Sequence, residues 1–167
     1  MLFRGVFQIL YLIMYRSVEL TVRSCEDLRI VGKSTKKTFV SLGVHEPTTC
    51  STTVNTTATS HPTWNERLDI QIPMRAPFLT LQVARHTSRG HKTIGSCNIP
   101  VSDFVSDKFP DNYVSFLSYR LRDEQHSKNG IVNVSVKVTR IFFPFLDPFP
   151  IATTADAFPV NRYGSRN

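Results

Sequence analysis

From Ser17 to Thr139 apolar and polar residues alternate with a period of two along most of the chain. Val18, Leu20 and Val22 alternate with Glu19, Thr21 and Arg23. Successive side chains leave a strand on opposite faces, so this spacing predicts a half-buried strand. The pattern recurs at Leu68, Ile70 and Ile72 before Pro73, and at Leu79, Leu81 and Val83 after Pro77. It is cleanest at Val132, Val134, Val136 and Val138, with Asn133, Ser135 and Lys137 on the other face. Lys37–Val44 is a β-rich run around Phe39, Val40 and Leu42, and Val114 and Phe116 belong to a further strand. Ser51–Thr57 is Thr-rich and β-branched around Val54, which reads as a strand with a polar face. Between the runs stand the turn signals Val31-Gly32-Lys33, His45-Glu46-Pro47, Ser60-His61-Pro62, Arg89-Gly90 and Lys128-Asn129-Gly130. No stretch sustains a helical period; only Val101–Phe109 has room for a helical turn, opening near Ser102 or Asp103. Short, regularly punctuated strands predict an all-β antiparallel sandwich of about seven or eight strands.

The two ends break the pattern. Gly5–Tyr15 is strongly apolar but too short to cross a bilayer as a helix, and no small-x-small cleavage site follows it. Residues 1–14 are therefore expected to be an apolar extension of a domain spanning 15–139. From Arg140 the chain turns to Phe and Pro, including Phe142, Phe143, Pro144, Phe145, Pro148, Phe149 and Pro150. Prolines at this density do not fit a central strand or helix, so 140–167 is expected to be an extended tail. It either docks partly on the sandwich or presents its phenylalanines to a partner.

Charge narrows the choice of partner. The chain holds 20 Lys+Arg against 13 Asp+Glu, a net +7, which favours anionic surfaces. Cys25, Cys50 and Cys97 are widely spaced and odd in number, which fits free thiols in a reducing, cytoplasmic setting. The order Cys25, Trp64, Cys97 superficially resembles an immunoglobulin domain. Trp64 lies too far along for that, and Gly95 stands where the corner tyrosine belongs. An enzyme is not expected: the chain has no GxSxG elbow, no phosphate-cradling glycine loop and no HExxH, and no cofactor is expected. Nucleic-acid binding is disfavoured, because the basic stretches lack interleaved aromatics and no recognition helix is visible.

Four segments carry a resemblance. Arg16–Ile30 looks like the opening strand and turn of small plant C2-domain proteins, and His61–Leu68 (HPTWNERL) is similar to the Pro-x-Trp-Asn-Glu signature of C2 domains. Thr93–Phe104 (TIGSCNIPVSDF) resembles the Ile-Gly-x-x-x-Ile-Pro segment after their third loop, and Gly130–Val138 is similar to their closing strand. The resemblance spans about residues 15 to 139 and is greatest to plant members linked to cold response and cell-death control. It implies an eight-stranded Greek-key C2 sandwich that works as a binding module. Read on its own chemistry, the group Pro62, Trp64, Asn65 and Glu66 is core and corner: a stiff entry, a large apolar plug and two groups that tie loop backbone.

C2 domains act through the loops at one end, where calcium-binding members carry several aspartates. Ca²⁺ takes about 6–8 oxygen ligands, and its charge must be balanced. The first loop here, between Leu28 and Phe39, puts Lys37 where the family's Asp-Pro-Tyr would begin. The third, between Val83 and Ile94, puts Arg85 and Thr87 at the Asp-x-Asp positions. Neither stretch holds a carboxylate, so calcium binding is not expected there. In place of acids stand Lys33, Lys36 and Lys37, then Arg85, His86, Arg89, His91 and Lys92. These eight residues are the candidate lipid-binding set. No metal ligand is expected, since imidazoles among cations make poor metal sites. Thr48–Thr59 has no lysine, which argues against a basic concave face. The expected function is calcium-independent peripheral docking on an anionic phospholipid membrane. The alternative is a protein-interaction adaptor using the sandwich face or the tail.

Overall fold

The computed structural model describes residues 15–30, 36–44, 50–110 and 112–142, with 140–142 described by backbone alone. Residues 1–14, Lys33, the His45–Pro47 turn signal and residues 143–167 of the expected tail lie outside the described residues, while residues 140–142, expected to open that tail, continue the last strand and pair with the first.

Eight strands form: β1 (Tyr15–Glu26), β2 (Thr38–Gly43), β3 (Cys50–Ser51), β4 (Thr63–Pro73), β5 (Phe78–Thr87), β6 (Gly90–Pro100), β7 (Val114–Arg122) and β8 (Lys128–Phe142). They pair in the order β3-β2-β5-β6-β7-β8-β1-β4, with every ladder antiparallel. One layer is β7-β8-β1-β4, the other β3-β2-β5-β6. Among the described residues a single ladder pair, Ser96 with Arg122, joins them, so the sandwich is nearly a closed barrel.

The alternating positions form the core as the pattern predicts. Val18, Leu20, Val22, Leu68, Ile70, Ile72, Leu79, Leu81, Val83, Val132, Val134 and Val136 are all buried in one cluster. Each such side chain contributes about 1.5–3 kcal/mol by leaving water. Trp64 is half-buried against this cluster, and its indole N–H donates to the Thr38 carbonyl across the layers at 3.3 Å. Glu66 ties the loop before β4, accepting from the Thr53 backbone N–H and hydroxyl, both at 2.8 Å.

One local reading holds with its outward face now defined, and three change. Val114 and Phe116 do lie on a strand but face outward, 39% and 69% exposed, and Ser115, Leu117, Tyr119 and Leu121 turn inward instead. The expected strand over Ser51–Thr57 shrinks to Cys50–Ser51, plus one isolated bridge from Asn55 to Thr38. The helical turn over Val101–Phe109 is only a 3-10 turn, Val101–Asp103. Lys128-Asn129-Gly130 is not a turn. The reversal occurs at Asp123–Ser127, where the Asp123 carboxylate accepts N–H groups from Gln125 and Ser127, and Asn129 and Gly130 sit in β8.

Candidate functional site

Strand direction decides which loops meet. β1 runs from Tyr15, opposite Pro73 and Phe142, to Glu26, opposite Ile131. β2 begins at Thr38 opposite Arg85 near the end of β5, and β7 ends at Arg122. The β1–β2 loop, the β3–β4 loop, the β5–β6 hairpin and the β7–β8 turn therefore share one end of the sandwich. The first and second of these are tied together, since Leu28 N–H donates to the Ser60 carbonyl at 2.9 Å.

At this end Lys37 adopts a left-handed backbone (φ 61°), and its carbonyl accepts the His86 N–H at 3.0 Å. That bond brings the start of β2 against the hairpin. Along the hairpin Arg85 stands opposite Lys92, and His86 opposite His91; Ser88 and Arg89 make the turn. Neighbouring positions on a strand face opposite ways. Arg85 and Lys92 line the cleft between the layers, a depression of about 210 Å³ shared with Arg29, Asn129, Asp123 and Glu124. His86 and His91 lie on the outer face with Phe39, their ring centroids 4.4 Å apart and 4.8 and 5.1 Å from the Phe39 ring. Arg85 is half-buried, and its Nε is buried with no hydrogen-bond partner among the described residues. Thr38 Oγ1, on the paired residue, is buried without one as well. Lys36, Lys37, Arg89 and Lys92 are exposed. Of the eight candidates, the structure thus places seven at one end, and Lys33 is outside the described residues.

Two features of this end were missed by sequence reasoning. The first is acidic. Placing the β7–β8 turn at Asp123–Ser127 brings Asp123 and Glu124 to the cleft, so it is not lined by cations alone. Asp123 is engaged with the turn's own backbone, whereas Glu124 is exposed beside Arg85 and Lys92. The acid-rich stretch RDEQ carried this signal, overshadowed by the stronger turn signal just after it. The second is Asn129. Its buried amide accepts from Arg29 N–H at 2.8 Å and donates to the Arg29 and Ile94 carbonyls at 2.9 and 3.1 Å. It thereby fastens the base of the β1–β2 loop to β6 and β8. Gly130 allows this approach: a Cβ there would sit 2.9 Å from the Glu26 carbonyl, and its φ is +77°. Arg29 also pairs with Asp27 at 3.2 Å, both side chains being exposed.

No group of three or more His, Cys, Asp or Glu side chains lies together among the described residues. The cysteines are free, and burial pushes the Cys25 and Cys97 thiols up to about 12, so they are poor nucleophiles.

A family profile described as "C2 domain" matches residues 16–116. The chain belongs to the C2 domain family. This C2 chain is similar to BON1-associated protein 2 of Arabidopsis thaliana, with 38% identity over 127 residues. That alignment covers 74% of the chain and 61% of the relative, so the chain spans about three fifths of the relative's length. Among solved structures it is similar to a C2 domain of plant extended synaptotagmin 1, with a TM-score of 0.59 and 19% identity over 74% of this chain and 94% of that one. It is also similar to part of human GIVD cytosolic phospholipase A2, with a TM-score of 0.59 and 17% identity over 76% and 16% of the two chains. At such identities these structures establish the fold alone. The sandwich architecture and the likeness to a small plant C2 protein both agree with the motifs read from the sequence. No helix among the described residues is long and apolar enough to cross a membrane.

Proposed function

We propose that this C2 domain is a binding module, not an enzyme, and that it docks on anionic phospholipid membranes through the basic end without calcium. The observation that carries the reading is the meeting of Lys37, Arg85, Arg89 and Lys92 at one end, on the loops where this family's calcium ligands would lie. A fixed positive charge there does what bound calcium would otherwise do, bridging the loops to lipid phosphate. Each Lys or Arg close to an anionic leaflet contributes about 1 kcal/mol. Four together are enough for reversible association, which is weakened at high salt. Asp27, Asp123 and Glu124 do not rebuild a calcium site, since Asp27 pairs with Arg29 and Asp123 caps its own turn. Such a module would work peripherally at the cytoplasmic face of a membrane, with the plasma membrane and stress signalling as the proposed setting.

Co-sedimentation with phosphatidylserine-containing and pure phosphatidylcholine vesicles, each in calcium and in chelator, tests this. The anionic vesicles are expected to bind equally well in both conditions and to release the chain at high salt. Changing Lys37, Arg89 and Lys92 together to Glu is expected to lower binding at least about tenfold. A requirement for calcium, or binding indifferent to those changes, sinks the reading.

An adaptor role has one structural observation in its favour. Far from the basic end, Phe109 and Tyr113 stack at 4.8 Å, and Val114 and Phe116 are exposed on the adjoining strand. The name of the Arabidopsis relative also denotes association with another protein. Binding to neither vesicle, with a partner lost on Phe116→Ser, would move the assignment there.

A further inference from the structure

The lipid reading rests on Lys37, Arg85, Arg89 and Lys92; the paired histidines of the β5–β6 hairpin carry a different arrangement. His86 and His91 are directly opposite residues of a two-strand ladder, one register step from a two-residue turn. Opposite residues hold their Cβ atoms about 4.5–5.5 Å apart, close enough for both side chains to reach one small ligand. Both histidines are exposed, and their ring centroids are 4.4 Å apart.

We propose that His86 and His91 form a two-imidazole chelate for a borderline divalent transition metal such as Ni²⁺ or Zn²⁺. Imidazole nitrogen binds these ions at about 2.0–2.1 Å, which leaves each ring centroid about 3.2 Å from the metal. Two such rings are separated by about 4.5 Å at a right-angle bite and about 5.2 Å at the tetrahedral angle. The observed spacing meets the first and needs an opening of less than about 1 Å for the second. Histidine χ2 is a broad, two-fold torsion, so the rings can turn their nitrogens together with the backbone unmoved.

The sequence argued against a metal here because cations surround the histidines. The fold sets the two imidazoles one residue out of phase with Arg85 and Lys92, although His91 still shares a surface depression with Arg85, Arg89 and Lys92. Arg85 and Lys92 line the inter-layer cleft. Both imidazoles pack against the Phe39 ring. Lys37 and Arg89 are exposed long chains whose charged heads stay in water. Phe39 packs against both imidazoles, which limits their freedom before any metal arrives and lowers the ordering cost of binding. No third His, Cys, Asp or Glu joins them among the described residues, so the protein supplies two ligands and leaves the remaining positions to solvent or another molecule. Hard, oxygen-seeking Ca²⁺ and Mg²⁺ are not served by such a pair.

Calorimetric titration of the full chain with NiCl₂, ZnCl₂, CaCl₂ and MgCl₂ tests the site with no lipid present. One ion of Ni²⁺ or Zn²⁺ is expected to bind, with Ca²⁺ and Mg²⁺ silent. His86→Ala and His91→Ala should each weaken binding by at least about tenfold, because one imidazole alone loses the chelate advantage. His61→Ala and His126→Ala should leave it unchanged. Absence of Ni²⁺ and Zn²⁺ binding overturns the proposal. Binding that survives both hairpin variants also overturns it, by showing that the ion is held elsewhere. Both side chains are exposed, and circular dichroism of each variant confirms that a loss does not come from misfolding. The vesicle assay uses Lys37, Arg89 and Lys92, so either result stands whatever the other shows.

Discussion

Three thiols in one small domain show how burial governs single groups. Desolvation raises the Cys25 and Cys97 thiols from an ordinary 9.0 to about 12, and raises Cys50 as well. A group held above its unfolded value is neutral in both states below about pH 9, where its contribution is fully present. Between 9 and 12 the unfolded chain releases the proton and the folded chain does not, so stability falls as pH rises. Each of Cys25 and Cys97 can contribute a slope of up to about 1.4 kcal/mol per pH unit in that window. The urea midpoint should therefore drop between about pH 8 and about pH 10.5, and the Cys25→Ala/Cys97→Ala variant should show a shallower drop. An identical drop in the variant would mean that these thiols do not titrate as their burial requires. Tyr119 is likewise raised, mainly by burial and then by its 2.6 Å hydrogen bond to the Asp103 carboxylate, which reinforces the alkaline loss.

Among the elements, the β5–β6 hairpin and the β7–β8 turn decide the character of the basic end between them. The hairpin was legible: alternation marked β5, and Arg89-Gly90 marked its turn. The β7–β8 turn was not, because Lys128-Asn129-Gly130 is the stronger local turn signal. Tertiary contacts drew Asn129 into a buried three-bond tie and Gly130 against Glu26, so the reversal moved to Asp123–Ser127. Glu124 consequently faces the cleft as an internal competitor for any anion. Replacing Glu124 with Gln is expected to raise affinity for phosphatidylserine vesicles about two- to five-fold, on the scale of one charge near a leaflet. Equal or weaker binding by the variant in a vesicle titration would remove Glu124 from the electrostatics of docking.

At the level of the whole molecule the two layers are joined unequally. β1 pairs with β8 along its length from Tyr15 to Glu26, whereas β6 and β7 share only Ser96 and Arg122 among the described residues. Opening the β6–β7 edge disturbs one residue pair; opening β1–β8 disturbs the centre of a layer and the valines beneath it. Amide hydrogen exchange followed by mass spectrometry is expected to show early uptake along the β6–β7 edge and late uptake in the centre of β1 and β8. Uniform protection of both edges would mean that the seam is closed by more than that pair. The basic end depends on this division, because Arg85 and Lys92 hang from one layer while Glu124 and Asn129 hang from the other.

The sequence by itself determined the strands whose apolar residues repeat every second position, the C2 motifs that order them, and the absence of carboxylates between Leu28 and Phe39 and between Val83 and Ile94. These are local properties, written in neighbouring residues. Only the tertiary structure decided which face of β7 is buried, since Val114 and Phe116 obey the strand period yet point to solvent. It also decided what the basic end contains. Residues as distant as Lys37, Arg85 and Glu124 meet there through strand pairing across the sandwich, and the hairpin register sets two cations one residue out of phase with two imidazoles. Periodicity fixes how often a chain turns a side chain inward. Which neighbour that side chain meets is settled by register between strands far apart in sequence.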